Sequence, residues 1–140
     1  MKRIMTAMVA VLAIALHAGA AWAAPSDCTI ILMHGKWGGS RSPHLDMITA
    51  ELEQFCTVRR PDMPWSRSKL YNRSYQDTLQ GIANSVKDAR AAGSKQVFVG
   101  GMSFGANAAL AYQAVIRDAD GLILLAPGHA PESMYERGVS

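Results

Sequence analysis

Residues 99–110 read "VGGMSFGANAAL". An apolar run ends in a glycine pair, one serine stands between Met102 and Phe104, a third glycine follows, and the chain continues in alanines. Three mechanisms place glycines at a strand-to-helix turn. A dinucleotide fingerprint starting at Gly100 needs glycine where Met102 stands. A phosphate-binding loop spanning Gly100 and Gly105 needs lysine where Ala106 stands. The third pattern, G-x-S-x-G, is matched by Gly101, Met102, Ser103, Phe104 and Gly105. In that pattern the serine occupies a forced turn that lifts its hydroxyl above a sheet. The flanking glycines leave room for the neighbouring strand and helix. The plainer alternative is a glycine turn with an incidental serine.

Outward from this stretch, short apolar runs alternate with helical patterns. "CTIILM" (28–33) is apolar without alternation, as in a strand buried on both faces. Ser42-Pro43 supplies an N-cap and a first-turn proline, and Leu45, Ile48, Leu52 and Phe55 then recur on one helical face. "CTVRR" (56–60) reads as an edge strand, guarded by its arginines and stopped by Pro61. Ser74 and Asp77 form a capping-box pattern before the apolar face of Leu79, Ile82, Ala83 and Val86, which Gly93 is placed to end. "QVFVG" (96–100), a helix over 104–117 and "GLILLA" (121–126) complete the series. Such repetition predicts an α/β domain with a parallel sheet of about four strands and helices on both faces.

The N-terminus carries a different pattern. Lys2 and Arg3 precede "IMTAMVAVLAIAL" and then Ala21-Trp22-Ala23, the three parts of a secretory signal peptide cleaved before Ala24. A retained membrane anchor is the alternative. On this reading residues 1–23 are the signal and 24–140 the domain, exported to the periplasm or beyond. The 14 basic residues, less Lys2 and Arg3, become 12 against 11 acids. That balance excludes a basic footprint for nucleic acid. Cys28 and Cys56 both lie in the exported part, where a disulfide is permitted and worth ~3 kcal/mol. No cysteine or histidine spacing suggests a metal, and no cofactor is implied.

"LMHGKWGG" (32–39) places His34-Gly35 directly after a buried strand. An acyl-transfer site needs backbone N–H donors aimed at an oxyanion, one after the nucleophile and one from such a loop. Phe104 and Lys36 would supply them, with His34 shaping the loop by hydrogen bonds.

Together, "ILMHGKWGG", "DMPWS" (62–66) and "VGGMSFGANAALAY" (99–112) resemble the α/β-hydrolase superfamily, specifically small exported bacterial serine hydrolases. The resemblance runs from about Thr29 to about Pro127. It implies that Ser103 is the nucleophile acting on an ester or related acyl bond, and that Lys36 and Phe104 hold the oxyanion positions. His34, Gly35, Gly101 and Gly105 would support the loop and elbow. Trp37, Met63 and Trp65 would line an apolar substrate cleft, unless Trp65 simply packs over the sheet edge. It also implies the strand order 56–60, 28–33, 96–100, 121–126. In that order Cys28 and Cys56 open neighbouring parallel strands and are expected to pair.

The family's acid and histidine lie beyond the last strand here, and only 37 residues follow Ser103. Asp118 and Asp120 precede that strand, and its six residues place them ~20 Å from the serine at ~3.3 Å per residue. His129 stands past the strand's other end, with Glu132 nearby, so an improvised Ser103–His129–Glu132 set is conceivable. The expectation is a chain cut short, inactive or feeble by itself, with an exposed 121–126 edge open to self-association. The rival functions are a non-catalytic binding or assembly domain and a nucleotide-binding α/β domain.

Overall fold

A computed structural model describes residues 27–128. Four strands and three helices alternate along it: β1 (Cys28–Met33), α1 (Pro43–Leu52), β2 (Thr57–Arg59), α2 (Tyr75–Ala91), β3 (Gln96–Met102), α3 (Phe104–Val115) and β4 (Gly121–Leu125). The strands form one sheet in the order β2-β1-β3-β4. Every pairing is parallel, with Thr29 opposite Thr57, Ile31 opposite Val99, and Val99 opposite Leu122. The expected α/β architecture and strand order are therefore observed.

Period-two alternation divides the buried strand residues between two helical layers. Ile31, Met33, Val97 and Val99 face α2 and α3, where Leu79, Ile82, Val86, Ala89, Ala108, Ala109 and Tyr112 complete the larger core. Cys28, Ile30 and Leu32 face α1 and pack on Leu45 and Cys56, with Phe98 and Ile123 partly buried beside them. β1 is buried along its whole length. That explains why its six residues carry no polar alternation.

The helix starts follow their caps. Ser42 Oγ accepts from the Leu45 N–H at 3.3 Å ahead of α1. Ser74 Oγ accepts from the Asp77 N–H at 3.1 Å and donates to the Asp77 carboxylate at 2.7 Å ahead of α2. Gly93 takes φ +103° just past α2, a backbone state that glycine adopts without strain.

α1 ends sooner than the apolar spacing predicts, at Leu52, and Phe55 is half exposed instead of joining the helical face. The reason is the turn into Cys56, whose N–H donates to Leu52 O at 3.1 Å. That turn brings Cys56 to Cys28, and the two are disulfide-bonded with Cα atoms 4.9 Å apart. Among the described residues no helix is long and apolar enough to cross a membrane. The predicted signal segment lies outside those residues.

Candidate functional site

β3 runs two residues further than the sequence pattern suggests, through the glycine pair to Met102, and α3 begins at Phe104. One residue, Ser103, makes the whole corner. Its φ is 53° and ψ is −118°, a conformation that costs an L-residue on the order of 1–3 kcal/mol. The Ser103 N–H is tied to Leu125 O at 2.9 Å, which anchors the corner to β4. Its side chain makes no capping bond to α3 and is partly exposed.

Close backbone approach permits this turn. A Cβ on Gly105 would lie 2.5 Å from Met33 O and 2.8 Å from His34 O, and one on Gly101 would lie 2.6 Å from both Met33 O and the Gly105 carbonyl carbon. Real contacts do not come that close, and the obstructing atoms are backbone. The corner therefore requires glycine at both places flanking Met102-Ser103-Phe104. Gly35 lies on the other side of the serine, where an added Cβ would come 3.4 Å from Ser103 Cβ and 3.9 Å from Oγ.

Phe104 opens α3, so its N–H has no carbonyl four residues back within the helix. Among the described residues no loop or cap hydrogen bond uses the Phe104 or Lys36 N–H. Phe104 follows Ser103 directly, and Lys36 follows Gly35, where an added Cβ would lie 3.4 Å from Ser103 Cβ.

His34 is 1 % exposed. Its Nε2 accepts from the Met63 N–H at 3.0 Å, which requires a lone pair there. The proton of the neutral ring then sits on Nδ1, which donates to Gly35 O at 2.8 Å. Both ring nitrogens are engaged, so His34 has no free nitrogen to act as a base. Its task is to join two loops, and Trp65 adds an Nε1–H bond to His34 O at 2.9 Å. Trp37 N–H to Trp65 O at 3.0 Å and Arg67 N–H to Gly38 O at 3.3 Å continue the seam.

Met63 and Trp65, expected at a cleft wall, are 4 % and 2 % exposed and belong to the larger core. The alternative of plain packing is what the geometry gives for Trp65, whose ring meets Phe104 edge-on at 4.9 Å. Trp37, by contrast, is 46 % exposed. Two residues that the sequence did not single out stand with it. The Tyr71 ring is 5.6 Å from Trp37 and 6.5 Å from Phe104, and the Tyr75 ring is 6.5 Å from Phe104. Two grooves of about 240 and 190 Å³ lie elsewhere, lined by Arg59, Pro61, Ser85 and their neighbours, and neither touches Ser103. Phe104, the residue after Ser103, is what links these rings to the corner.

Asp118 and Asp120 lie at the far ends of their strands, as expected, and both are occupied there. Asp120 accepts from the Val97 N–H at 2.6 Å and from Arg90 at 3.0 Å. Asp118 accepts from the Tyr112 hydroxyl. Burial first, and the Asp118 hydrogen bond and charge next, push the Tyr112 phenol well above its usual range.

Past β4 the described chain ends at Gly128. Asn107 of α3 donates to Gly128 O at 2.9 Å, and a Cβ on Gly128 would lie 3.8 Å from Ser103 Oγ. His129 and Glu132 lie outside the described residues. Among those described, no group of three or more His, Cys, Asp and Glu side chains could hold a metal ion. No protein-family model matches the chain, and no curated protein is significantly similar to it.

Proposed function

We propose that this chain is an exported serine hydrolase of the α/β-hydrolase type, acting on an ester or related acyl bond through Ser103. The observation that carries the reading is the Ser103 backbone, φ 53° and ψ −118° at a one-residue corner between a buried strand and a helix. Strain of this kind persists only where surrounding structure enforces it, and here Gly101 and Gly105 allow two backbones to close around it.

In the proposed reaction the Ser103 oxygen attacks the substrate carbonyl and its proton passes to a base. We assign that base to His129, which follows Gly128 in the chain; a Cβ added to Gly128 would lie 3.8 Å from Ser103 Oγ. The Phe104 and Lys36 N–H groups stabilise the tetrahedral oxyanion. Collapse breaks the bond to the leaving alcohol, which takes the proton from the base and leaves an acyl-serine. Water then attacks the acyl carbon, loses its proton to the same base, and releases the acid and the serine. Export rests on the N-terminal pattern, and the Cys28–Cys56 bond suits an oxidising compartment.

A second reading is a non-catalytic domain used for assembly. It is favoured by β4, the outer strand of the sheet among the described residues, where Leu124 is 37 % exposed, and by Leu110 and Val115 of α3, exposed at 43 % and 70 %. A fluorophosphonate probe separates the two. One label per chain at Ser103, absent in Ser103→Ala and slowed at least tenfold in His129→Ala, supports the hydrolase. A folded chain that stays unlabelled supports assembly.

A further inference from the structure

Three exposed aromatic side chains, Trp37, Tyr71 and Tyr75, at 46, 39 and 41 % exposure, link through ring contacts to Phe104 beside Ser103, and Leu70, 66 % exposed, adjoins Tyr71 in the chain. Three of them carry positive φ, +58° at Trp37, +50° at Leu70 and +59° at Tyr71. Bulky residues rarely adopt this backbone state, and nothing in hydrophobic burial rewards it here, because the side chains it presents face water. The strain is enforced by backbone hydrogen bonds, one across the seam between the two loops and two within the second loop. Trp37 N–H is held by Trp65 O at 3.0 Å, Leu70 N–H by Ser66 O at 3.0 Å, and Tyr71 N–H by Pro64 O at 2.8 Å. Trp65 stands on the same loop and is buried, so the loop is able to turn an aromatic ring inward.

The rings are also arranged to receive another. Trp37 and Tyr71 meet edge to face, with planes 88° apart. Phe104 stands next to the serine and links that pair to Tyr75. Aromatic rings prefer offset or edge-on partners with centroids about 4.5–7 Å apart, and a planar group laid against the exposed edges of Trp37 and Tyr71 would find such partners there.

We infer that Trp37, Tyr71 and Phe104 form a docking site for an aryl group near the scissile bond, so that the substrates are aromatic esters. This inference rests on the proposed role of Ser103 and specifies its substrate class.

The test uses the full chain and two sulfonyl fluorides, phenylmethanesulfonyl fluoride and methanesulfonyl fluoride. Each forms an O–S bond at the serine and releases fluoride, with the hydroxyl proton passing to the base. Comparing the aryl-to-methyl rate ratio between variants cancels the reagents' intrinsic reactivities. The expected result is a ratio at least tenfold lower in Trp37→Ala/Tyr71→Ala than in the unaltered chain, with Tyr71→Phe retaining the ratio. In the unaltered chain, benzyl alcohol should slow methyl labelling where butanol at equal concentration does not, a measurement that needs no variant to fold. An unchanged ratio without benzyl alcohol protection overturns the aryl site while leaving the nucleophile intact. Failure of both reagents to label Ser103 overturns both.

Discussion

Where the strands of this sheet begin, Cys28 is bonded to Cys56, Asp27 pairs with Lys95 at 3.3 Å, Thr29 shares a hydrogen bond with Ser94 at 2.7 Å, and Asp120 joins Arg90 to Val97. Where the strands finish, Ser103 and Trp37 both carry positive φ and His34 is buried. Asp62 pairs with Lys69 at 3.7 Å and Arg60 with Asp46 there, but the corner itself is ordered by backbone seams and ring contacts. Both ends carry ion pairs, but only the first is fastened by a covalent link. The other depends on ångström-scale clearance between backbones. On the proposed reading the disulfide braces one end and the nucleophile stands at the other, and substitutions at the two ends should behave differently.

Gly105→Ala should give the largest effect. Its Cβ would meet two carbonyl oxygens at 2.5 and 2.8 Å, with no flexible side chain to yield. A cost of about 3 kcal/mol or more is expected by denaturant unfolding, with probe labelling of the remaining folded protein reduced at least a hundredfold. Replacing both cysteines by alanine should cost about 3 kcal/mol, since the bond closes a loop with a sequence separation of 28. Here the folded fraction should label at the unaltered rate. A matching loss of labelling would show that the two ends are coupled.

Tyr112→Phe should give the smallest effect, about 1 kcal/mol at neutral pH from the lost Asp118 hydrogen bond, with a separate signature in alkaline solution. The folded protein keeps this phenol protonated above its ordinary pKa of 10.0, while the unfolded chain releases the proton near that value. Above pH 10 the folded state therefore binds more protons, and stability falls as pH rises. The slope is about 1.4 kcal/mol per pH unit. The phenylalanine variant should lack this contribution, which thermal unfolding between pH 9 and 11 would detect as a shallower decline.

The braced end was largely legible in the sequence. Continuous apolar runs mark strands covered on both faces, Ser42 and Ser74 announce their helices, and two cysteines opening adjacent parallel strands have little choice of partner. The corner was legible because steric demand restricts Gly101 and Gly105 to one residue type. The aromatic border was not. Trp65 and Trp37 are the same residue type in loops of similar composition, yet one is core and the other surface. What separates them is local backbone conformation and loop-to-loop hydrogen bonding, neither of which has a periodicity to read. Phe55 shows the complementary case, where helical spacing continues past the point at which the turn into Cys56 stops the helix.

The Asp27–Lys95 pair has a practical consequence. The Lys95 side chain is 76 % exposed, and it precedes β3 while Ser103 follows it. About seven extended residues, on the order of 20 Å, intervene. A dye or solid support coupled through that amine would hold the molecule by its back, leaving the serine and its ring of aromatics turned toward the solution.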